Sequence, residues 1–225
     1  MHVLKHYHPP TDPYLDVLYV DDHLLVLNKQ SGLLSVPGKS LDHRDCLESR
    51  AVEAYSDALI IHRLDMETSG VIALARDKKT HALISKQFER RKTQKTYIAR
   101  LFGHLKNDTG SIDFPLICDW PNRPKQMVDH ANGKAALTHY KVLEREVSVA
   151  EKTAVTRVEF TPISGRSHQL RVHALSIGHP ILGDNLYGSE LSQKAARRLQ
   201  LHAKMLTLFH PALEKTMTFE APLPF

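Results

Sequence analysis

Residues 59–75 read LIIHRLDMETSGVIALA. Leu59 to Ile61 and Gly70 to Ala75 are short apolar runs of strand character, and they bracket the polar insert HRLDMETS. That pattern places the insert on a connection between two strands. Upstream, Val17 to Val20 and Leu24 to Leu27 flank Asp21-Asp22-His23, which reads as a hairpin. The stretch NKQSGLLSVPGKS collects Gly32, Pro37 and Gly38 and is a loop, followed by a short helix over about 44–55. Downstream, Asp77 suits the N-cap of a helix running to about Arg91, with Leu83, Ile84 and Phe88 as its buried stripe. Strand character recurs at 96–103, near 112–114, and at 137–143, 154–160, 205–209 and 217–219. One further helix is expected over 167–177, stopped by Gly178 with Pro180 beyond it. Strands that follow one another, rather than alternating with helices, predict an α+β fold on a mixed, largely antiparallel sheet with flanking helices and loops. Residues 115–134, PLICDWPNRPKQMVDHANGK, read as one long ordered loop.

The chain has 225 residues, 42% of them apolar and 24% charged, enough to bury a core without disulfides. Residues 1–16 are expected to be a Pro-rich lead-in and 17–225 a single domain, with no internal repeat or Gly/Ser linker. The longest apolar run is five residues, so no membrane span and no secretory signal are expected. Cys46 and Cys118 belong to no CxxC pair, which fits a reducing cytoplasm rather than a disulfide framework or a thiolate zinc site. The net charge of +5 is unevenly spread. Nine basic residues against two acidic ones fall between Arg76 and Arg100, which points to a polyanionic partner.

Several catalytic signatures fail. Pro37-Gly38-Lys39-Ser40 resembles the end of a P-loop, but Leu33 stands where the first glycine is needed. No GxGxxG, GxSxG or HExxH occurs. His168 and His173 lie five apart on the expected helix, roughly 140° apart around its axis, which is a poor metal pair. Neither a cofactor nor a metal is expected.

One motif succeeds. A specified four-letter string such as HRLD arises by chance in about one chain of this length in a thousand, and here TSG accompanies it at 68–70. The chain resembles the RluA-type pseudouridine synthases, which carry HRLD followed two residues later by TSG. Agreement extends to NK at 28–29 with SGLLSVPG, KTYIA at 95–99, GRSHQLRVH at 165–173, HPILGD at 179–184 and LHAKMLT at 201–207. Gln30 departs from the proline that usually follows NK. The resemblance implies the pseudouridine synthase fold, built on a bent sheet, and an isomerisation that detaches uracil from its ribose, turns it and rejoins it through C5. Nothing is added or removed, so no cofactor is needed. The segment 115–126 looks like that of short family members that modify both tRNA and large-subunit ribosomal RNA.

Residue roles carry over from the same resemblance. Asp65 is the carboxylate that attacks the sugar or removes one of its protons, two routes that sequence leaves open. Arg166 pairs with it and keeps it ionised, Tyr97 assists proton transfer at C5, and Leu201 lines the uracil pocket. Arg63 is placed to fill the gap left by a flipped-out uridine. Each residue also has a plainer use. An aspartate in this loop suits a turn, Arg166 suits a structural ion pair, and Tyr97 and Leu201 suit the core. His62 reads as a structural hydrogen-bonding residue. The partners expected are tRNA and ribosomal RNA stem-loops, met by a cytoplasmic monomer without an N-terminal S4-like RNA-binding domain. The Lys78–Lys95 run would track phosphates, while Trp120 and Arg123 would either stack on bases or shape their own loop. The rival reading is a catalytically silent RNA-binding protein or chaperone on the same fold.

Overall fold

A computed structural model describes residues 7–148 and 153–225, so the first six residues of the expected lead-in lie outside the described residues. The chain runs β1 (Val17–Val20), β2 (Leu24–Lys29), α1 (Leu47–Ala54), β3 (Leu59–Ile60), β4 (Ser69–Ala75), α2 (Lys78–Glu89), β5 (Gln94–Phe102), β6 (Thr109–Asp113), β7 (Leu116–Cys118), β8 (Gln126–Val128), β9 (Leu137–Ser148), β10 (Thr153–Pro162), α3 (Gln169–Ser176), α4 (Glu190–Lys194), β11 (Leu201–His210) and β12 (Lys215–Glu220). Strands dominate, nearly all pairings are antiparallel, and the α+β class is as expected. Residues 7–95 with 202–224 make one compact body, and 96–148, 153–201 and Phe225 make another.

In the first body β4 is the organising strand. All seven of its residues are buried, as befits a strand covered on both faces. It pairs antiparallel with β2, with Leu25 opposite Leu74 and Leu27 opposite Ile72, and antiparallel with the short β3. It pairs parallel with β11 at Ser69–His202 and Gly70–Ala203, and β12 lies antiparallel on β11. The β1–β2 turn closes because Asp21 accepts the amides of His23 and Leu24 at 2.8 and 2.7 Å. Residues 7–16 are fastened by the fully buried Arg50, which forks onto Asp45 and donates to the carbonyls of Pro10 and Tyr14. Asp77 caps α2 by accepting from the Thr80 amide at 2.8 Å. The inward face is Thr80 and Ile84, with Phe88 packed against the same core, spaced i, i+4, i+8. Leu83, expected in that stripe, is 41% exposed, because it lies a full 100° around the helix from Ile84.

The second body carries a four-stranded antiparallel order β5-β10-β9-β6, with Tyr97 opposite Phe160. Ala99, Leu101, Val158 and Phe160 from the sheet meet Leu170 and Ala174 of α3, together with Ile181, Leu199 and Leu201. Each large apolar side chain buried there stabilises by about 1.5–3 kcal/mol. α3 begins after His168, which takes a left-handed conformation, and ends before Gly178 at φ +80°.

Three sequence expectations are corrected. The 115–134 segment is a hairpin, β7 on β8, around a 3-10 turn at Trp120–Asn122; its three-residue strands were hidden by the surrounding Pro, Asn and Asp. α4 was not expected, since five residues capped by Ser189 show no helical period. β11 starts four residues early because its polar residues are accommodated individually: His202 bonds Ser69 at 2.9 Å, and Lys204 donates to the Ala221 carbonyl at 3.1 Å.

The TSG triplet is the point where β4 meets β11. Gly70 has φ +114°, and a Cβ there would lie 2.2 Å from the Ala203 carbonyl oxygen. Both the dihedral and the close backbone approach demand glycine. Gly70→Ala is expected to lower folding stability by about 2–4 kcal/mol, read as a reduced urea midpoint at unchanged slope.

Candidate active site

The HRLDMETS connection of the first body is held through its backbone. Lys29 closes β2 at an inward position, following Leu25 and Leu27 at period two, and is fully buried. Its ammonium donates to the carbonyls of Gln30 at 2.8 Å, Leu33 at 2.6 Å and Met66 at 2.9 Å. The Ser35 hydroxyl donates to the Leu64 carbonyl at 2.7 Å and accepts the Leu64 amide at 3.1 Å. The Gly32 amide reaches Met66 O at 2.9 Å, Ser31 Oγ reaches Glu67 O at 2.7 Å, and the Thr68 amide closes a turn on Asp65 O at 3.0 Å. Carbonyls 64 to 67 are all engaged on the loop's own flanks or on residues 29–35. The Asp65 side chain is left half-buried and that of Arg63 exposed. A backbone pinned at four consecutive residues fixes where the Asp65 side chain leaves the main chain, which is the first requirement for positioning a reacting group.

His62 enters this loop as an anchor. Its Nε2 accepts the Ala73 amide at 3.0 Å, and its ring stacks on Phe88 with centroids 4.4 Å apart. Burial, and secondarily the charge of Lys95, pushes its pKa down to about 3, so it is neutral at physiological pH and free to accept. Burial, with Arg91 nearby, pushes the Lys95 ammonium down as well. In the basic run, Arg76 is paired with Asp57 at 3.0 Å and Arg100 with Glu146 at 2.7 Å. Lys78, Lys79, Lys86, Arg90, Arg91 and Lys92 are exposed.

The second body holds Tyr97, Arg166 and Leu201. The structure brings Tyr97 and Leu201 to one apolar cluster, with Leu201 2% exposed and Tyr97 half-buried at its margin. Arg166 follows β10 on a turn organised by Gln169. The Gln169 side-chain oxygen accepts from Ser164 Oγ at 2.8 Å and from the Arg166 amide at 3.0 Å, while its amide group donates to Leu137 O and Thr138 Oγ1. The Arg166 Nε donates to Ala135 O at 3.2 Å. A relay continues through Thr138, whose hydroxyl donates to Nδ1 of His173, while Nε2 of His173 donates to Phe114 O at 3.0 Å. Burial pushes His173 down, consistent with a neutral ring that accepts on one nitrogen and donates on the other.

Lys29, Ser35 and Gln169 were not singled out from the sequence for any role. For Lys29 a signal existed, a lysine in phase with two inward leucines. Among the described residues, no group of three His, Cys, Asp or Glu side chains could hold a metal ion, and no helix is long and apolar enough to cross a membrane.

These two bodies and their loops match proteins of one kind. A family model described as RNA pseudouridylate synthase matches residues 23–176. The chain belongs to the RNA pseudouridylate synthase family, and is an RNA pseudouridine synthase of the RluA type. It is 51% identical over 222 residues, 99% of both chains, to the dual-specificity RNA pseudouridine synthase RluA of Escherichia coli strain K12. It is 47% identical to the protein of that name from Vibrio parahaemolyticus, covering 97% of this chain and 87% of the other. Among solved structures, human RNA pseudouridylate synthase domain containing 1 superposes with a TM-score of 0.81 at 27% identity, covering 97% of this chain and 87% of that one.

The histidines make stability depend on pH in a set direction. His62 is harder to protonate folded than unfolded, so its contribution is complete above about pH 6.5 and is lost as pH falls toward about 3. His173 acts in the same sense. Urea unfolding stability is expected to weaken by up to about 1.4 kcal/mol per pH unit on account of His62 over that window, and His62→Gln to flatten the profile by one proton's worth. Lys29→Met, which strands buried carbonyls, should destabilise the chain by about 3 kcal/mol or more in the same assay.

Proposed function

We propose that this enzyme isomerises uridines in the loops of two kinds of RNA, tRNA anticodon stem-loops and hairpins of large-subunit ribosomal RNA. Support comes from relatives near 50% identity named for dual specificity and from the PLICDWPNRPKQ segment. The observation that carries the chemistry is the backbone-pinned loop that leaves the Asp65 carboxylate half-buried.

A target uridine has to leave its stack, at a cost of a few kcal/mol, before its sugar can be reached. Arg63, exposed two residues before Asp65, takes the vacated place and meets its polar groups. Asp65 then acts on the ribose, either bonding to C1′ as uracil departs or removing the C2′ proton. Uracil turns and rejoins through C5, and the C5 proton is removed with the help of Tyr97. The base is only reconnected, so no cofactor or metal enters. Arg166 is the cation that favours the ionised carboxylate, and Leu201 is an apolar wall for uracil. The exposed basic side chains of α2 and the turn after it, from Lys78 to Lys92, follow phosphates. The enzyme works as a cytoplasmic monomer.

Tritium release from RNA labelled at uridine C5, using one transcript of each kind, tests reaction and target together. Asp65→Asn should lower release at least about a hundredfold while RNA affinity stays at the wild-type level; full activity would end the assignment. Arg166→Gln should move the acid limb of the kcat/KM profile upward, because a carboxylate without its cation ionises later. Six phosphate contacts from the basic run predict a log-log salt slope of about −4, and a slope near −1 would remove that surface from the reading.

A further inference from the structure

Trp120 is the only tryptophan in the chain, and it is held out in solvent, 64% exposed, at the tip of the β7–β8 hairpin. The guanidinium of Arg123 lies over one face of the indole, 4.2 Å from the ring centroid. The tip is rigid. The Asp119 amide donates to Lys125 O at 3.0 Å, the Asn122 amide to Asp119 O at 3.0 Å, and the Lys125 amide to Asn122 O at 3.1 Å. The Asn122 side-chain amide occupies both carboxylate oxygens of Asp119. The hairpin's base is equally fixed. Leu116 and Val128 pack with Val172 and Tyr187, and the Tyr187 hydroxyl accepts the Gln126 amide at 2.8 Å while bonding Nδ1 of His168 at 2.7 Å. His168 is two residues from Arg166, so the tip stands in a set position relative to the Arg166 turn.

We propose that Trp120 is a stacking platform for an unpaired base of the substrate RNA, with Arg123 backing the indole and Lys125 meeting the adjoining phosphate. This rests on the RNA reading above and assigns it a recognition element. Burial would normally claim the largest apolar side chain, and this hairpin is braced so that it stays outside. One indole face is closed by a weakly hydrated cation, and the other is open and flat, as a nucleobase requires. Arg123 and Lys125 supply the charge an RNA strand needs, while the acid next to Trp120 in the chain, Asp119, is engaged by Asn122. Bases within a duplex have no free face, so the platform selects loop nucleotides.

Because no other tryptophan is present, intrinsic emission reports on this position alone. Saturating the full-length enzyme with either transcript is expected to quench that emission. Trp120→Ala should raise KM for at least one of the transcripts by roughly five- to 150-fold with kcat retained, Trp120→Phe should recover part of the loss, and Arg123→Ala should reduce the salt slope by about 0.7. An unchanged thermal melt of the variants shows that the fold is intact. Emission that does not respond to bound RNA, together with an unchanged KM for Trp120→Ala on both transcripts, would overturn the proposal. Quenching tests stacking whether or not a transcript is converted, and tritium release by the wild-type enzyme tests the substrate reading separately.

Discussion

A buried ammonium is the constraint on which the HRLDMETS loop depends. Lys29 gives up its hydration to gather the carbonyls of Gln30, Leu33 and Met66, the last of which the Gly32 amide also meets. An unpaired buried donor or acceptor costs about 1–3 kcal/mol, so a conformation that satisfies all three carbonyls is strongly preferred over those that do not. Ser31, Gly32 and Ser35 complete the arrangement. The loop is therefore held through its main chain by neighbours at residues 29–35.

The second body solves the same problem with an amide. Gln169 presents one acceptor and two donors, and its environment uses all of them, joining Ser164, Arg166, Leu137 and Thr138. Buried polar networks that are fully satisfied specify one geometry, whereas partly satisfied ones do not. In each body a loop or turn that carries an expected site residue, Asp65 in one and Arg166 in the other, is defined by a buried polar neighbour.

Much of the fold could be read directly. The β1–β2 hairpin, the connection between β3 and β4, the Asp77 cap and the Gly178 stop are local events, governed by residues within a few positions of one another, and each is where the spacing put it. The failures also share a cause. Leu83 has the hydrophobicity of a core residue, but the direction of the core leaves it outside and takes Thr80 beside the expected Ile84 and Phe88. The β7–β8 hairpin and α4 are too short to show a period, and the early part of β11 carries polar residues whose partners, Ser69 and Ala221, are distant in the chain.

By itself the sequence determined the family and the chemistry, since HRLD with TSG, KTYIA and GRSHQLRVH are contiguous strings whose residue types must be present wherever the chain folds. Why the TSG motif ends in glycine is supplied by the contact with Ala203, 133 positions away. Tertiary structure alone decided which carbonyls Lys29 clamps, that Gln169 is the hub of the Arg166 turn, and that Trp120 stands in solvent on a braced tip. Those facts depend on partners brought together across the chain, and burial is a property of the assembled body that no local string encodes.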